Sequence, residues 1–331
     1  MNNTKDNLGE RMKKFYEERG RYYLTRRTPV AIRLDMRAGH TFTKGFTKPF
    51  DSAFRNSMER TALYLCKNIS NVKCAYCQSD EITLILTDYD TLTTDAWFDY
   101  RVDKLCSVTA SMATMYFNKL FAEEAEEYHC EIEDWKKVFS DGGKAETIDQ
   151  AHYRALDRGA MFDARCFNVP KEEVANLIVW RWMDAKRNSI QMVGQANFSH
   201  TELQGKTCAD IVEMLNTREE VDAPWDYYSD VFRFGSLIVK FYDVWNCFAA
   251  PDNYEELRNM VNREIDYEEK QTSKNTVPYE IRCPHGYVYC INDPGYIEFY
   301  HPDWYADLFK EGIVTCEGYC DHGERYDSED K

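Results

Sequence analysis

The sequence contains no long uninterrupted run of apolar residues. A helix that crosses a bilayer needs roughly 20 of them in succession, and no segment of the 331 residues approaches that length. The first residues, MNNTKDNLGERMKK, also lack the apolar centre of a secretory signal peptide. We therefore expect a soluble, cytoplasmic protein that has no membrane partner.

Internal repeats, low-complexity tracts and long Gly/Ser linkers are absent as well. A chain of 331 residues, 44% of them hydrophobic, can bury one substantial core and carry an appendage. Its 12 cysteines come without a secretory signal, which indicates reduced thiols, most of them in the core, rather than a disulfide framework.

The charge of the chain is negative overall but unevenly distributed. A net charge of -16 argues against a general nucleic-acid coat protein. Residues 11–60, however, hold thirteen Lys or Arg against five Asp or Glu. A locally positive face on an acidic protein favours one specific polyanion, because phosphate contacts give affinity while overall repulsion suppresses other binding.

Hydrophobic periodicity predicts an alternation of strands and helices. The expected elements are a helix at 8–24, a strand at 30–35, a helix after Asp51, a hairpin at 73–86, a helix at 95–120, a strand at 163–169, a helix after Pro170 and a strand at 234–245. This order predicts an α+β fold with a ferredoxin-like antiparallel sheet, helices on one face and the other face available.

Two carboxylates fall at the ends of these strands. The apolar strand of Val30 to Leu34 ends on Asp35, and the tip of the hairpin carries Asp80. On the predicted topology they meet at one edge of the open sheet face. Such a pair suits Mg²⁺ carried in with nucleotide phosphates, and two metals would support displacement at phosphorus. The alternative is that both residues only form turns, where Asp is common.

Three cations surround the predicted pair. Lys48 precedes a helix, while Arg101 and Lys104 occupy a first helical turn, where free N–H groups and the helix dipole attract phosphate. For Arg101 and Lys104 alone, a solvated helix face is the competing interpretation.

Four stretches in order, RLDMRAGHTFTKGFTKPFD, YCQSDE, FDARCFNVP and WRWMDAKRNSI, resemble the tRNA-His guanylyltransferase family, including its 3'-to-5' RNA polymerase members. The resemblance implies a polymerase-like palm domain, residues 1–248, followed by an extension of unknown role, residues 249–331. It also implies a nucleotidyltransferase that activates the 5' end of tRNA or a tRNA-like RNA with ATP or GTP and then adds GTP. A homo-oligomer is implied in the same way.

The resemblance assigns roles to residues of this chain. Asp35 and Asp80 would hold two Mg²⁺ ions with the Met36 carbonyl, and Glu81 completes the catalytic acidic turn. The implied nucleotide-binding residues are Lys48, Arg101, Lys104, Ser79, His40 and Asp51, and the implied RNA-binding residues are Arg165, Lys186, Arg187 and Asn188.

The chain departs from the family pattern at three places, one of which is a Lys, carried by family members after the short helix that follows, with no clear counterpart in NTREEVDAPWDYY. Asp35-Met36 stands where the family usually has Asp-Gly, so the main chain must do without glycine's freedom. The stretch 186–192, KRNSIQM, stands where the family has His-Ile-Asn-Asn-Leu-Tyr-Asn. These departures favour a repair-type polymerase over strict tRNA-His specificity.

Two other functions fit the same residues. A palm-type nucleotide cyclase would use both acids on a triphosphate without RNA, and an inactive RNA-binding relative would be signalled by Met36. A zinc site in the extension is disfavoured, because its Cys and His residues lack two tight Cys-x-x-Cys pairs. Those residues are Cys283, His285, Cys290, Cys316, Cys320 and His322.

Overall fold

The computed structural model describes residues 7–138, 143–218, 223–241 and 244–265, together with four short strands later in the chain. Two compact units, Met1–Glu268 and Glu269–Lys331, divide the chain. The division falls after the expected boundary at residue 248, because a helix at Tyr254–Ile265 packs on the first unit through Leu257, Val261 and Ile265. The side chains of the candidate zinc ligands lie outside the described residues.

Helices make up much of the first unit. In chain order they are α1 (Leu8–Met12), α2 (Gly39–Phe42), α3 (Ser52–Asn68), α4 (Val102–Val138), α5 (Gly143–Arg158), α6 (Val174–Asn197), α7 (His200–Leu203), α8 (Cys208–Thr217), α9 (Asp230–Phe234) and α10 (Tyr254–Ile265). Within the part of the chain that the structure describes, none of them is long and apolar enough to cross a membrane.

One six-stranded antiparallel sheet forms the centre of the first unit. Its strands are β1 (Val30–Met36), β2 (Val72–Gln78), β3 (Glu81–Leu86), β4 (Phe162–Asn168), β5 (Ser236–Phe241) and β6 (Val244–Ala249). They lie in the order β4-β1-β3-β2-β5-β6. The described residues of the second unit form two antiparallel strand pairs, β7 (Tyr279–Arg282) with β8 (Val288–Ile291) and β9 (Ile313–Thr315) with β10 (Arg325–Asp327).

Alternation along the strands separates two hydrophobic cores. In β1 the even-numbered residues from Val30 to Met36 pack with α3 and α4, whereas Ala31 belongs to the core formed with α6 and α10. The α+β class with an antiparallel sheet is confirmed. The structure adds that α6 and α10 cover part of the second face, whereas Asp163 and Arg165 of β4 are exposed there.

Three sequence-based expectations for single elements need correction. The apolar run at 234–245 is not one strand, because the chain reverses after Phe241 and forms the β5–β6 pair. The long helix begins at Val102 rather than 95, since Trp97–Tyr100 forms a separate 3₁₀ turn. Within the predicted helix at 8–24, only Leu8–Met12 is α-helical, and none of its residues is buried to stabilise a longer helix.

Candidate active site

The end of strand β1 places the Asp35 side chain on the face of the sheet opposite the main core. Because side chains alternate, Arg33 and Asp35 share one face while Leu34 and Met36 are buried on the other. Met36 is 2% exposed, and the residue remains in the strand without a positive φ. The chain bends two residues later, at Ala38 with φ 58°. Methionine at position 36 therefore requires no backbone conformation that only glycine adopts.

Sheet pairing brings acidic residues from three distant segments beside one another. Asp35 lies opposite Glu81 of β3 on one side and opposite Asp163 of β4 on the other. The Met36 amide donates a hydrogen bond of 3.0 Å to the Asp80 carbonyl, which ties the hairpin tip to the end of β1. The predicted meeting of the Asp35 and Asp80 segments at one end of the sheet is thus observed.

The hairpin tip is built for a close approach to α2. Ser79 takes the left-handed conformation, φ 47°, so that Ser79 and Asp80 alone reverse the chain. The Asp80 carboxylate then lies against the Gly39 backbone. A Cβ built on Gly39 would come within 2.1 Å of Asp80 Oδ2. Glycine at position 39 thus provides the space that the carboxylate occupies.

Both predicted metal-binding carboxylates have a raised pKa. Burial raises the pKa of Asp35, and the neighbouring Asp163 charge raises it further, against opposing effects of nearby arginines. Burial also raises the pKa of Asp80, and the charge of Asp35 adds to it. The two groups therefore repel each other electrostatically, and a bound cation would relieve that repulsion.

Glu81 is held by a chain of alternating charges that leads onto α6. Arg33 Nε lies 3.7 Å from its carboxylate and Arg181 Nε 3.2 Å, the latter without hydrogen-bond geometry. Arg181 also binds Asp184 at 2.5 Å, and Asp184 binds Arg187 at 2.5 Å. Burial nonetheless raises the pKa of Glu81 against the effect of both arginines. The arrangement gives Glu81 cationic partners on the protein itself.

The donor set fits a hard divalent cation. Asp35 and Asp80 offer carboxylate oxygens, the ligands that Mg²⁺ prefers, at a position where their charges repel. Among the described residues, no three His, Cys, Asp or Glu side chains gather into a complete ligand group. Further ligands would have to be main-chain carbonyls, water or substrate phosphates, which is how Mg²⁺ is commonly held.

The predicted phosphate-binding cations fall into two separate places. Exposed His40 on α2 and exposed Lys48 before α3 lie at the Asp80 end of the sheet. Arg101 lies just before α4 and is bound to Asp103 at 2.8 Å, and Lys104 follows in the first turn.

The start of α4 is at the opposite end of β4 from the acids. Cys106 of α4 contacts Cys166 at 3.6 Å, whereas Thr114 contacts Phe162. The helix thus runs antiparallel to β4, on the side of the main core. Arg101 and Lys104 lie near the Asn168 end, about 16 Å along the strand from Asp163 at roughly 3.3 Å per residue. The structure does not bring them to Asp35 and Asp80.

Asp51 has a structural role that the sequence only partly predicts. Its carboxylate caps α3 by accepting from the Phe54 amide at 2.9 Å, and it accepts from the Thr47 amide at 3.1 Å. It also lies 3.0 Å from Nε2 of the fully buried His152. Burial would raise the pKa of Asp51, but these hydrogen bonds outweigh it and lower the pKa. Its oxygens are occupied within the protein.

The residues assigned to RNA lie around the open face. Arg165 lies on β4, on the same face of the sheet as Asp35. Its side chain is half exposed, and its Nη2 atom lies 3.6 Å from Oδ1 of Asp163. Exposed Arg187 and half-buried Asn188 follow Arg181 on α6. Lys186 instead turns inward, with its ammonium 5.4 to 5.8 Å from the ring centres of Trp182, Trp225 and Phe234. Those rings limit its contact with a ligand.

Sequence reasoning missed three residues of this site. Arg181 is 5% exposed and pairs with Glu81, but an Arg between two Trp gave no sign of burial. Asp163 follows Phe162 directly and could have been found from the strand alternation that identified Asp35. Gly39 matters only because Asp80 approaches it, which no local pattern shows.

Comparisons with known proteins agree on one family. A family model described as tRNAHis guanylyltransferase matches residues 9–170. A probable tRNA(His) guanylyltransferase of Dictyostelium discoideum is 27% identical over 224 residues, 64% of this chain and 75% of that protein.

Two solved structures are similar over most of the chain. A bacterial tRNA(HIS) guanylyltransferase (Thg1)-like protein in complex with ATP is 34% identical, with a TM-score of 0.64, and the match covers 78% of this chain and 99% of that one. The GTP complex of a bacterial protein of the same description has a TM-score of 0.57 at 32% identity, with the same coverage.

Proposed function

Because the chain belongs to the tRNA-His guanylyltransferase family, we propose that it is a Mg²⁺-dependent nucleotidyltransferase that acts on the 5' end of tRNA or a tRNA-like RNA. ATP or GTP activates the 5' phosphate, and GTP is then added in the 3'-to-5' direction. The similar bacterial proteins solved with ATP and with GTP support nucleotide binding. A homo-oligomer is part of the same proposal.

The observation that carries the proposal is the meeting of Asp35 and Asp80 at one end of the sheet. Their segments are joined by the Met36–Asp80 hydrogen bond, and each carboxylate has a raised pKa. Phosphoryl transfer depends mainly on positioning the reactants and on neutralising charge. A carboxylate pair beside cations can therefore support this reaction without a covalent nucleophile.

The residues have distinct roles in this proposal. Asp35 and Asp80 would hold two Mg²⁺ ions, and these would supply positive charge that neutralises the phosphate oxygens. Lys48 and His40, at the same end of the sheet, bind the nucleotide phosphates, and Arg165 orients the RNA end. Glu81 does not touch the reacting atoms; it fixes the arginines beside the pair.

An addition assay tests this function. The protein is incubated with Mg²⁺, ATP and labelled GTP, with and without a tRNA that lacks its first 5' nucleotide. We expect labelled GTP to be joined to the RNA, and we expect no labelled product in the reaction without RNA. Asp80→Ala should abolish addition and leave RNA affinity nearly intact, whereas Asp252→Ala, at an exposed loop position, should have no effect. Addition by Asp80→Ala at the wild-type rate would contradict the metal role.

The same assay distinguishes the two alternatives. A cyclic nucleotide formed without RNA would identify a cyclase. RNA binding with neither product would identify an inactive RNA-binding relative. The second alternative draws less support from the structure than from the sequence, because Met36 is accommodated at the end of β1 without backbone strain.

A further inference from the structure

One side of α6 exposes large apolar residues beside the candidate active site. Trp180 is 52% exposed and Met183 60% exposed, although both are residues that proteins usually bury. Arg187 follows on the same side, with 59% of its side chain exposed. The spacing of three and four residues places all three on one helix surface, which we call the α6 outer face.

Trp180 is held in place by two arginines of the ion-pair chain. The Arg181 guanidinium carbon lies 4.0 Å from the centre of the Trp180 ring and that of Arg33 lies 5.6 Å away. Both guanidinium groups are in turn held by Glu81. A cation stacked over a face of the ring fixes the orientation of the ring, while about half of the residue stays exposed.

The ring is near the carboxylate pair. Arg33 precedes Asp35 by two residues on the same face of β1, a rise of roughly 7 Å. A group stacked on Trp180 is therefore close enough to Asp35 that one bound substrate molecule could contact both residues. The second flank of the open face carries Arg165, with 53% of its side chain exposed.

The chemistry of this surface matches an unpaired nucleotide. Proteins bind single-stranded nucleic acid by stacking bases on aromatic rings and by placing cations beside the backbone. The α6 outer face and the edge of β4 supply an exposed Trp between Arg165 and Arg187 on a chain whose net charge is -16. Arg165 and Arg187 also contact Asp163 and Asp184, so the preference for RNA over an apolar protein partner comes from the exposed ring beside two exposed guanidinium groups that can donate to phosphate.

We propose that Trp180 is the stacking platform for an unpaired base at the 5' end of the RNA substrate, with Arg165 and Arg187 contacting the flanking phosphates. The proposal rests on the proposed function and deepens it. An unpaired base is required, because a base inside a duplex has no free face to offer the ring.

Substitutions at Trp180 separate stacking from simple burial. The probe is a tRNA whose 5'-terminal nucleotide is left unpaired by a mismatch and which carries a fluorophore at its 3' end, and anisotropy without Mg²⁺ reports binding. Trp180→Leu keeps an apolar side chain but removes the ring, and we expect about tenfold weaker binding. Trp180→Phe keeps a ring and should stay within about threefold of wild type. Tyr254→Leu, at another exposed aromatic residue, is the matched control.

A second variant guards against misfolding. Met183 is 60% exposed, so Met183→Glu should fold normally while placing a negative charge one helical turn from Trp180. It too should weaken RNA binding about tenfold at low salt, because it repels phosphate. Reduced binding by both Trp180→Leu and Met183→Glu, with wild-type binding by Tyr254→Leu, supports the platform.

Two results would overturn the proposal. One is wild-type RNA affinity in Trp180→Leu and Met183→Glu. The other is weaker RNA binding accompanied by a lower sedimentation coefficient of the RNA-free variants, which would identify the α6 outer face as a contact between copies of the chain. If the wild-type protein adds no nucleotide but Trp180→Leu still weakens RNA binding, the platform stands and the proposed reaction fails.

Discussion

Arg181 is the buried cation at the centre of the ion-pair chain, and removing it should be costly. Replacement by Met keeps the apolar length of the side chain but leaves Glu81 facing only Arg33, at 3.7 Å. Breaking a buried ion pair from one side typically costs 3–5 kcal/mol. Because Asp184 keeps 26% of its side chain in solvent, we expect the lower end of that range, about 3 kcal/mol of unfolding free energy.

The decisive comparison is a double-mutant cycle measured by urea unfolding. Glu81→Gln removes the charge that Arg181→Met would leave unpaired, so the double variant should recover at least about 1 kcal/mol relative to the sum of the single changes. A control substitution, Arg218→Met, breaks the exposed contact with Glu202 and should move the midpoint far less. Additivity within about 0.5 kcal/mol would refute the claim that Glu81 is held by Arg181.

Three further predictions concern single positions. Gly39→Ala should displace the Asp80 carboxylate and remove nucleotide addition, while Gly20→Ala, where a Cβ meets nothing within 4 Å, should not; equal activity in an addition assay would refute this. Burial raises the pKa of Glu264 to about 7, so the folded state should lose stability as pH rises from about 4.5 to 7. Relative to wild type, Glu264→Gln should therefore raise the free energy of unfolding by about 2–3 kcal/mol at pH 8 and by little at pH 4. A pH-independent effect in urea unfolding would exclude this. Asp51→Ala should lose about 2–3 kcal/mol at pH 7 through the missing cap and hydrogen bonds, and since the folded pKa is depressed, unfolding at pH 3 should show a smaller difference.

The sequence was sufficient to predict how the two acids meet, for a local reason. Strand alternation sets the face of Asp35, and a hairpin beside β1 brings Asp80 to the same end. Both follow from short-range patterns. The position of Arg101 does not, because the hydrophobic stripe of α4 fixes which side faces the sheet but not at which end of the sheet the helix begins.

Burial of charged residues was the other feature beyond sequence reasoning. Arg181 is of a residue type usually found at the surface, and it pairs with Glu81 of β3, far away in the chain, as well as with Asp184 one turn further along α6. Likewise the sequence predicts a helix after Asp51, but the contact of Asp51 with His152 depends on α5, a helix that the periodicity does not reveal. Contacts between elements far apart in the chain decide these cases.

The strict alternation in β1 has a consequence for how this segment can vary in length. Inserting one residue between Val30 and Leu34 would move every later side chain of the strand to the opposite face of the sheet. Asp35 would then point into the main hydrophobic core, and Met36 would point away from it. Exchanges of one aliphatic residue for another would leave the orientation intact. Related chains should therefore tolerate aliphatic substitutions in this strand far better than insertions or deletions.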